Sequence, residues 1–143
     1  TAIHDCSKPF PEILADKSVC YYHSANHYNC WNITDANRTF FVNHAQHAHC
    51  PFQGGLNQLW RNQLLGLSVE QDEHQPFRHV TFSVAKHPRN TYLDQSLAEY
   101  QDLIANNPKF SVFTSKDVLD AAAGLNDPEL NQWITWYRDL YAL

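Results

Sequence analysis

From Pro51 onward the apolar and polar positions fall into regular patterns, whereas before it they show little periodicity. Gly54-Gly55 supplies a turn, after which Leu56, Leu59, Trp60, Leu64 and Leu67 recur every three or four residues. That spacing collects side chains on one face of an α-helix and predicts a helix over about 55–68. The polar stretch Gln71 to Pro76 ends it. Val80, Phe82 and Val84 then alternate with Thr81, Ser83 and Ala85, as in a strand, and His87-Pro88 closes the run because the residue before proline has a restricted backbone. Leu93, Leu97, Tyr100 and Ile104 predict a second helix, stopped by Asn106-Asn107-Pro108, and Phe110, Val112 and Phe113 a short strand. Thr114 with Asp117 has the form of a capping box for a helix that ends at Gly124. Asp127-Pro128 starts a last helix, whose predicted buried stripe is Leu130, Trp133, Ile134, Tyr137, Leu140 and Tyr141.

The order helix, strand, helix, strand, helix, helix predicts an α/β fold with a parallel strand pair joined by a right-handed crossover. At 143 residues, 43% hydrophobic and 17% charged, the chain fits one domain spanning 1–143. Within it, 1–50 reads as an irregular Cys/His-rich part and 51–143 as the regular α/β part. No run approaches the roughly 18 apolar residues of a membrane span. Thr1 to Lys8 has neither the basic nor the apolar region of a signal peptide, so no membrane partner is expected and the expected location is cytoplasmic. Ten basic against 15 acidic residues give a net charge of -5, which argues against a basic coat for nucleic acid but leaves room for a small positive cleft. No methionine occurs at any position, which leads us to expect a chain trimmed or cut from something longer.

The first 50 residues hold all four cysteines and six of the nine histidines. Cys6, Cys20, Cys30 and Cys50 with His23, His27, His44, His47 and His49 supply enough soft ligands for tetrahedral zinc, with Cys20, Cys30, Cys50 and His49 as the candidate set. Their wide spacing, without any Cys-x-x-Cys, speaks against zinc or an iron–sulfur cluster, and buried thiols with surface histidines are the simpler account. Tyr21, Tyr22, Tyr28 and Trp31 can stack on bases, but aromatics at this density more often build a small core. Asn32-Ile-Thr34 and Asn37-Arg-Thr39 fit the N-glycosylation pattern; with an even number of cysteines they define a rival reading, a small secreted disulfide-bonded domain.

The string Cys50-Pro-Phe-Gln-Gly-Gly-Leu-Asn-Gln-Leu-Trp-Arg-Asn-Gln-Leu-Leu-Gly resembles restriction-endonuclease-like bacterial proteins of the PD-(D/E)XK nuclease superfamily. Cys20-Tyr-Tyr-His-Ser-Ala, Phe82-Ser-Val, His87-Pro-Arg-Asn, Phe110 to Asp117 and Trp133-x-x-Trp-Tyr-x-x-Leu-Tyr extend the likeness over most of the chain. The resemblance implies a layered restriction-endonuclease-like sheet flanked by helices, here only in part, acting on DNA. It also implies an Asp on one strand and Glu-x-Lys on the next. Those carboxylates hold Mg²⁺ or Mn²⁺, which activates the attacking water. The helix at 55–68 and the strand at 79–86 match the elements that follow Glu-x-Lys in that family. Two positions before Lys8, Lys17, Lys86, Lys109 and Lys116 stand Cys6, Ala15, Val84, Asn107 and Thr114, so no acid-x-Lys exists in this sequence.

The expectation is therefore either a truncated nuclease whose catalytic strand lies upstream or a non-catalytic binding module of the same fold. The resemblance brings Gln58 and Arg61 toward the scissile phosphate, Arg61 being better suited because a guanidinium engages two phosphate oxygens. The pattern alone reads Gln58, Arg61, Asn62 and Gln63 as the solvated side of the helix. A sheet without its central strands exposes an edge. That leads us to expect a homodimer, or a strand supplied from 1–50, with Phe40, Phe41 and Val42 as the best candidates.

Overall fold

The computed structural model describes residues 6–74 and 76–143, which form two compact units, one of residues up to Phe82 with Gln95–Phe110, the other of Ser83–Asp94 with Ser111–Leu143.

The first unit begins with three short helices, α1 (Phe10–Ala15), α2 (Tyr21–Ser24) and α3 (Cys30–Ala36), with one 3₁₀ turn between α1 and α2 and two more after α3. What holds such short pieces together is an aromatic core. Phe10, Trp31, Phe41, Phe52 and Trp60 are each no more than 2% exposed. Phe52 lies flat against Trp60 with centroids 4.3 Å apart, and Trp31 tilts against both at 5.5 and 5.3 Å. Each buried aromatic removes about 150–250 Å² from water, so this cluster replaces the backbone hydrogen bonding that helices of one or two turns lack.

Trp60 belongs to α4 (Leu56–Gln71), whose buried face is Leu56, Trp60, Gln63, Leu64, Gly66 and Leu67. The helix continues past the predicted end through Val69 and Glu70. There Glu70, with its side chain only 11% exposed, accepts from Val80 N at 3.3 Å and pairs with Lys109. This anchors the last turn and offsets the weak intrinsic helix preference of Ser68 and Val69.

β1 (Phe82–Lys86), α5 (Asp94–Leu103) and β2 (Phe110–Thr114) follow, and the two strands pair as a parallel two-stranded sheet. Strand structure starts at Phe82 and not at Val80, because the Val80 amide is committed to Glu70. α5 buries Leu97, Tyr100 and Leu103, and Tyr100 meets Phe110 edge to face at 5.0 Å.

In the second unit the Ser83 and Ser111 hydroxyls bond across the strands at 2.7 Å. α6 (Ser115–Ala123) opens with the reciprocal capping box of Thr114 and Asp117, and α7 (Pro128–Tyr141) is capped by Asp127, whose side chain accepts from Leu130 N at 2.9 Å. Leu119 of α6 and Ile134 of α7 are buried, and Arg138 bonds Asp120 at 2.6 Å. No helix of the described residues is long and apolar enough to cross a membrane.

Two expectations fail here. Phe40, Phe41 and Val42 form no strand; Arg38–Phe40 is a 3₁₀ turn, Phe40 and Phe41 turn into the aromatic core, and Val42 is exposed. The stripe on α7 is also mostly outside. Of its six residues only Ile134 is buried, and Trp133, Leu140 and Tyr141 are about half exposed. A nine-residue α6 with a small Ala121-Ala122-Ala123 end offers too little surface to cover a full helical stripe.

Candidate functional site

The entry to α4 passes close to α5 at Gly55, where an added Cβ would collide with the Ser96 side chain and force it to shift. From that entry the helix carries Gln58, Arg61 and Asn62 along one edge of a groove of about 440 Å³. Cys30 and Ser68 also line it, with Ile33 and Leu64 as apolar neighbours. Gln58 Nε2 donates to Asn62 Oδ1 at 2.8 Å. The Arg61 guanidinium lies 5.1 Å from the centre of the Tyr28 ring and acts electrostatically on the Cys30 thiol. Burial pushes the Cys30 thiol up, and the guanidinium pulls it the other way.

A guanidinium held over an aromatic face is orientated by that contact, and its in-plane N–H groups suit a planar or phosphate acceptor. Arg61 is exposed. The groove is thus an apolar-lined furrow with one cation and two amides on its rim, suited to an anion that also has apolar surface. Of the four residues read as the polar side of this helix, Gln58 and Asn62 with Arg61 share the groove. Gln63 does not.

Gln63 is fully buried, and neither its Oε1 nor its Nε2 has a hydrogen-bond partner among the described residues. It stands one turn from Leu59 and Leu67 and in line with Gly66 and Glu70. That stripe faces Val80, which a Cβ on Gly66 would approach to 3.2 Å, and Lys109, which pairs with Glu70. The reading of Gln63 as solvated is corrected. Its spacing from Leu56 and Trp60, seven and three residues, was the signal that placed it inside the apolar arc.

The metal candidates differ in exposure. Cys50 is 6% exposed, Cys20 and Cys30 are half-buried, and His49 is exposed with Nδ1 at 2.9 Å from Ser7 O. His44 stacks on Phe10 at 4.4 Å. Among the described residues no three His, Cys, Asp or Glu side chains come close enough together to hold a metal ion. The structure therefore does not bring Cys20, Cys30, Cys50 and His49 into one ligand set. No acid-x-Lys occurs in the sequence, so the donors of these 143 residues do not fit the Glu-x-Lys part of the Mg²⁺ or Mn²⁺ site of a PD-(D/E)XK nuclease.

Cys30 and Tyr28 were not readable as neighbours of Arg61, because they lie in the aperiodic half, where spacing carries no information about facing. Glu70 with Lys109 was equally hidden, since the two are far apart in sequence.

Comparison with known families places this architecture. The model of the PD-(D/E)XK nuclease superfamily matches residues 34–141, which takes in α4, both strands and α5 to α7. The chain belongs to the PD-(D/E)XK nuclease superfamily, and its parallel strand pair flanked by helices is the restriction-endonuclease-like α/β arrangement. No curated protein and no solved structure matches the chain.

Proposed function

We propose that this chain is the DNA-engaging portion of a restriction-endonuclease-like protein, with Arg61 as a phosphate contact and Gln58 beside it. The superfamily match over residues 34–141 carries the reading. It is supported by the exposed Arg61 on the rim of the α4 groove, with Gln58 and Asn62 alongside. Phosphodiester cleavage in this proposal depends on an acid-x-Lys pair, which would hold Mg²⁺ or Mn²⁺ and which these 143 residues do not contain. The chain by itself then binds duplex DNA and leaves it uncut.

A second reading, a non-catalytic binding module of the same fold, is favoured by one specific observation: the sequence holds no acid-x-Lys. Both readings share the binding step. A cytoplasmic location and a homodimer, paired through a sheet that has only two strands, belong to the proposal as well. Incubation of the purified chain with labelled duplex DNA tests it. Retardation that weakens with added salt, with no cleavage in Mg²⁺ or Mn²⁺, is the expected result. Metal-dependent cleavage by these residues alone would overturn the dependence on acid-x-Lys.

A further inference from the structure

Cys50 and Cys6 are tied at the backbone, Cys50 N donating to Cys6 O at 3.1 Å. That bond brings the two backbones into direct contact, and a disulfide needs Cα atoms about 4.4–6.8 Å apart. The two thiols also lie within electrostatic reach of one another. They differ in access. Cys6 is half-buried and lines a cavity of about 310 Å³ with Tyr22, Phe52, Gln53, Gly54 and Asn57. Cys50 is buried.

We propose that Cys6 and Cys50 form a reversible disulfide, with Cys6 the thiol that meets a small-molecule disulfide oxidant and Cys50 the thiol that resolves it. The Cys6 thiol gives its proton to water, and its thiolate attacks one sulfur of the oxidant RSSR; the S–S bond breaks and RS⁻ leaves, taking up a proton from water. Cys50 then passes its proton to a departing thiolate, attacks the Cys6 sulfur of the mixed disulfide and releases the second RS group as a thiol. The balance is two protein thiols oxidised to one disulfide and one RSSR reduced to two RSH. Burial pushes the Cys50 thiol up to about 12, so direct reaction of Cys50 with an oxidant is slow and Cys6 must act first.

Cys20 is the competing partner, since it lies within electrostatic reach of Cys50, but Cys20 has no backbone bond to it. The consequence of the bridge is local. Cys50 precedes Pro51 and Phe52, and Phe52 is the ring stacked on Trp60, so the bridge fixes the segment that leads into α4. This inference does not rest on DNA binding.

The experiment oxidises the reduced, folded chain with oxidised glutathione, alkylates the remaining thiols and maps the unreduced digest by mass spectrometry. The expected result is a Cys6–Cys50 linked peptide, two of four thiols lost, reversal by dithiothreitol, and a melting temperature raised by about 5 °C. Cys6→Ser is expected to keep its three remaining thiols under the same treatment. Cys50→Ala is expected to do the same; should it fail to fold, Cys6→Ser at its half-buried position carries the test. Four alkylatable thiols after treatment, or a Cys20–Cys50 linkage in place of Cys6–Cys50, would overturn the proposal.

Discussion

Trp60 Nε1 donates to Thr34 Oγ1 at 2.9 Å inside the core, and Thr34 Oγ1 in turn donates to Cys30 O at 2.8 Å. Trp60 is 1% exposed and Thr34 0%, so neither group has water as an alternative. The pair fixes α3 against α4 and with it the position of Cys30 beside Arg61. Thr34→Val keeps the shape and leaves the indole N–H without an acceptor, which costs about 1–3 kcal/mol. A thermal melt is expected to fall by about 3–10 °C; an unchanged melt would show that the hydrogen bond contributes nothing.

Glu70 makes stability depend on pH. Hydrogen bonding from Lys109 is the main cause holding its carboxyl below the usual range; burial opposes it, and the Val80 amide adds to the lowering. A carboxyl with a depressed folded pKa stabilises the fold above the unfolded pKa of about 4.3, and that contribution is lost as pH falls through the lower folded value. Glu70→Gln is expected to lose about 1–2 kcal/mol at pH 7 and to narrow its gap to the parent below pH 4.3. Urea melts at pH 7 and pH 3.5 check this; a gap that widens at the lower pH contradicts it.

Gln63 is the costly residue of α4. An amide buried without partners carries a desolvation penalty of about 1–3 kcal/mol. Gln63→Met, of similar length and without polar atoms, is expected to raise stability by about 1 kcal/mol. A loss of stability in a urea melt would mean that the amide has a partner.

The two apolar sides of α7 are expected to behave differently. Ile134→Ala empties a buried site and costs about 2–4 kcal/mol. Trp136, 57% exposed, should tolerate alanine within about 0.5 kcal/mol. Equal losses from the two substitutions would show that Trp136 is covered in solution.

The regular half of the chain was legible because its periodicity is backed by local signals. The Thr114–Asp117 box and the Asp127-Pro128 start stand where the sequence puts them, since each is a contact between near neighbours. The alternation at Phe82 to Ala85 and the Tyr100 stripe follow from burial on one face. What the sequence did not show depends on distant partners. Phe40 and Phe41 have the composition of a strand, but a core of Phe10 and Phe52 claims them. α7 has a helical stripe, but how much of it is buried depends on how much surface α6 presents. The groove joins α4 to Cys30 and Ile33 of the aperiodic segment, and that side of it carries no pattern to read.

The most direct test of the central claim is a titration of labelled duplex DNA with the purified chain and its Arg61→Ala variant across a salt series. The account predicts binding by the parent, several-fold weaker binding by the variant, and a plot of log affinity against log salt that is shallower for the variant by about 0.9. No binding by the parent at low salt, or identical affinity and slope for the two proteins, would contradict it.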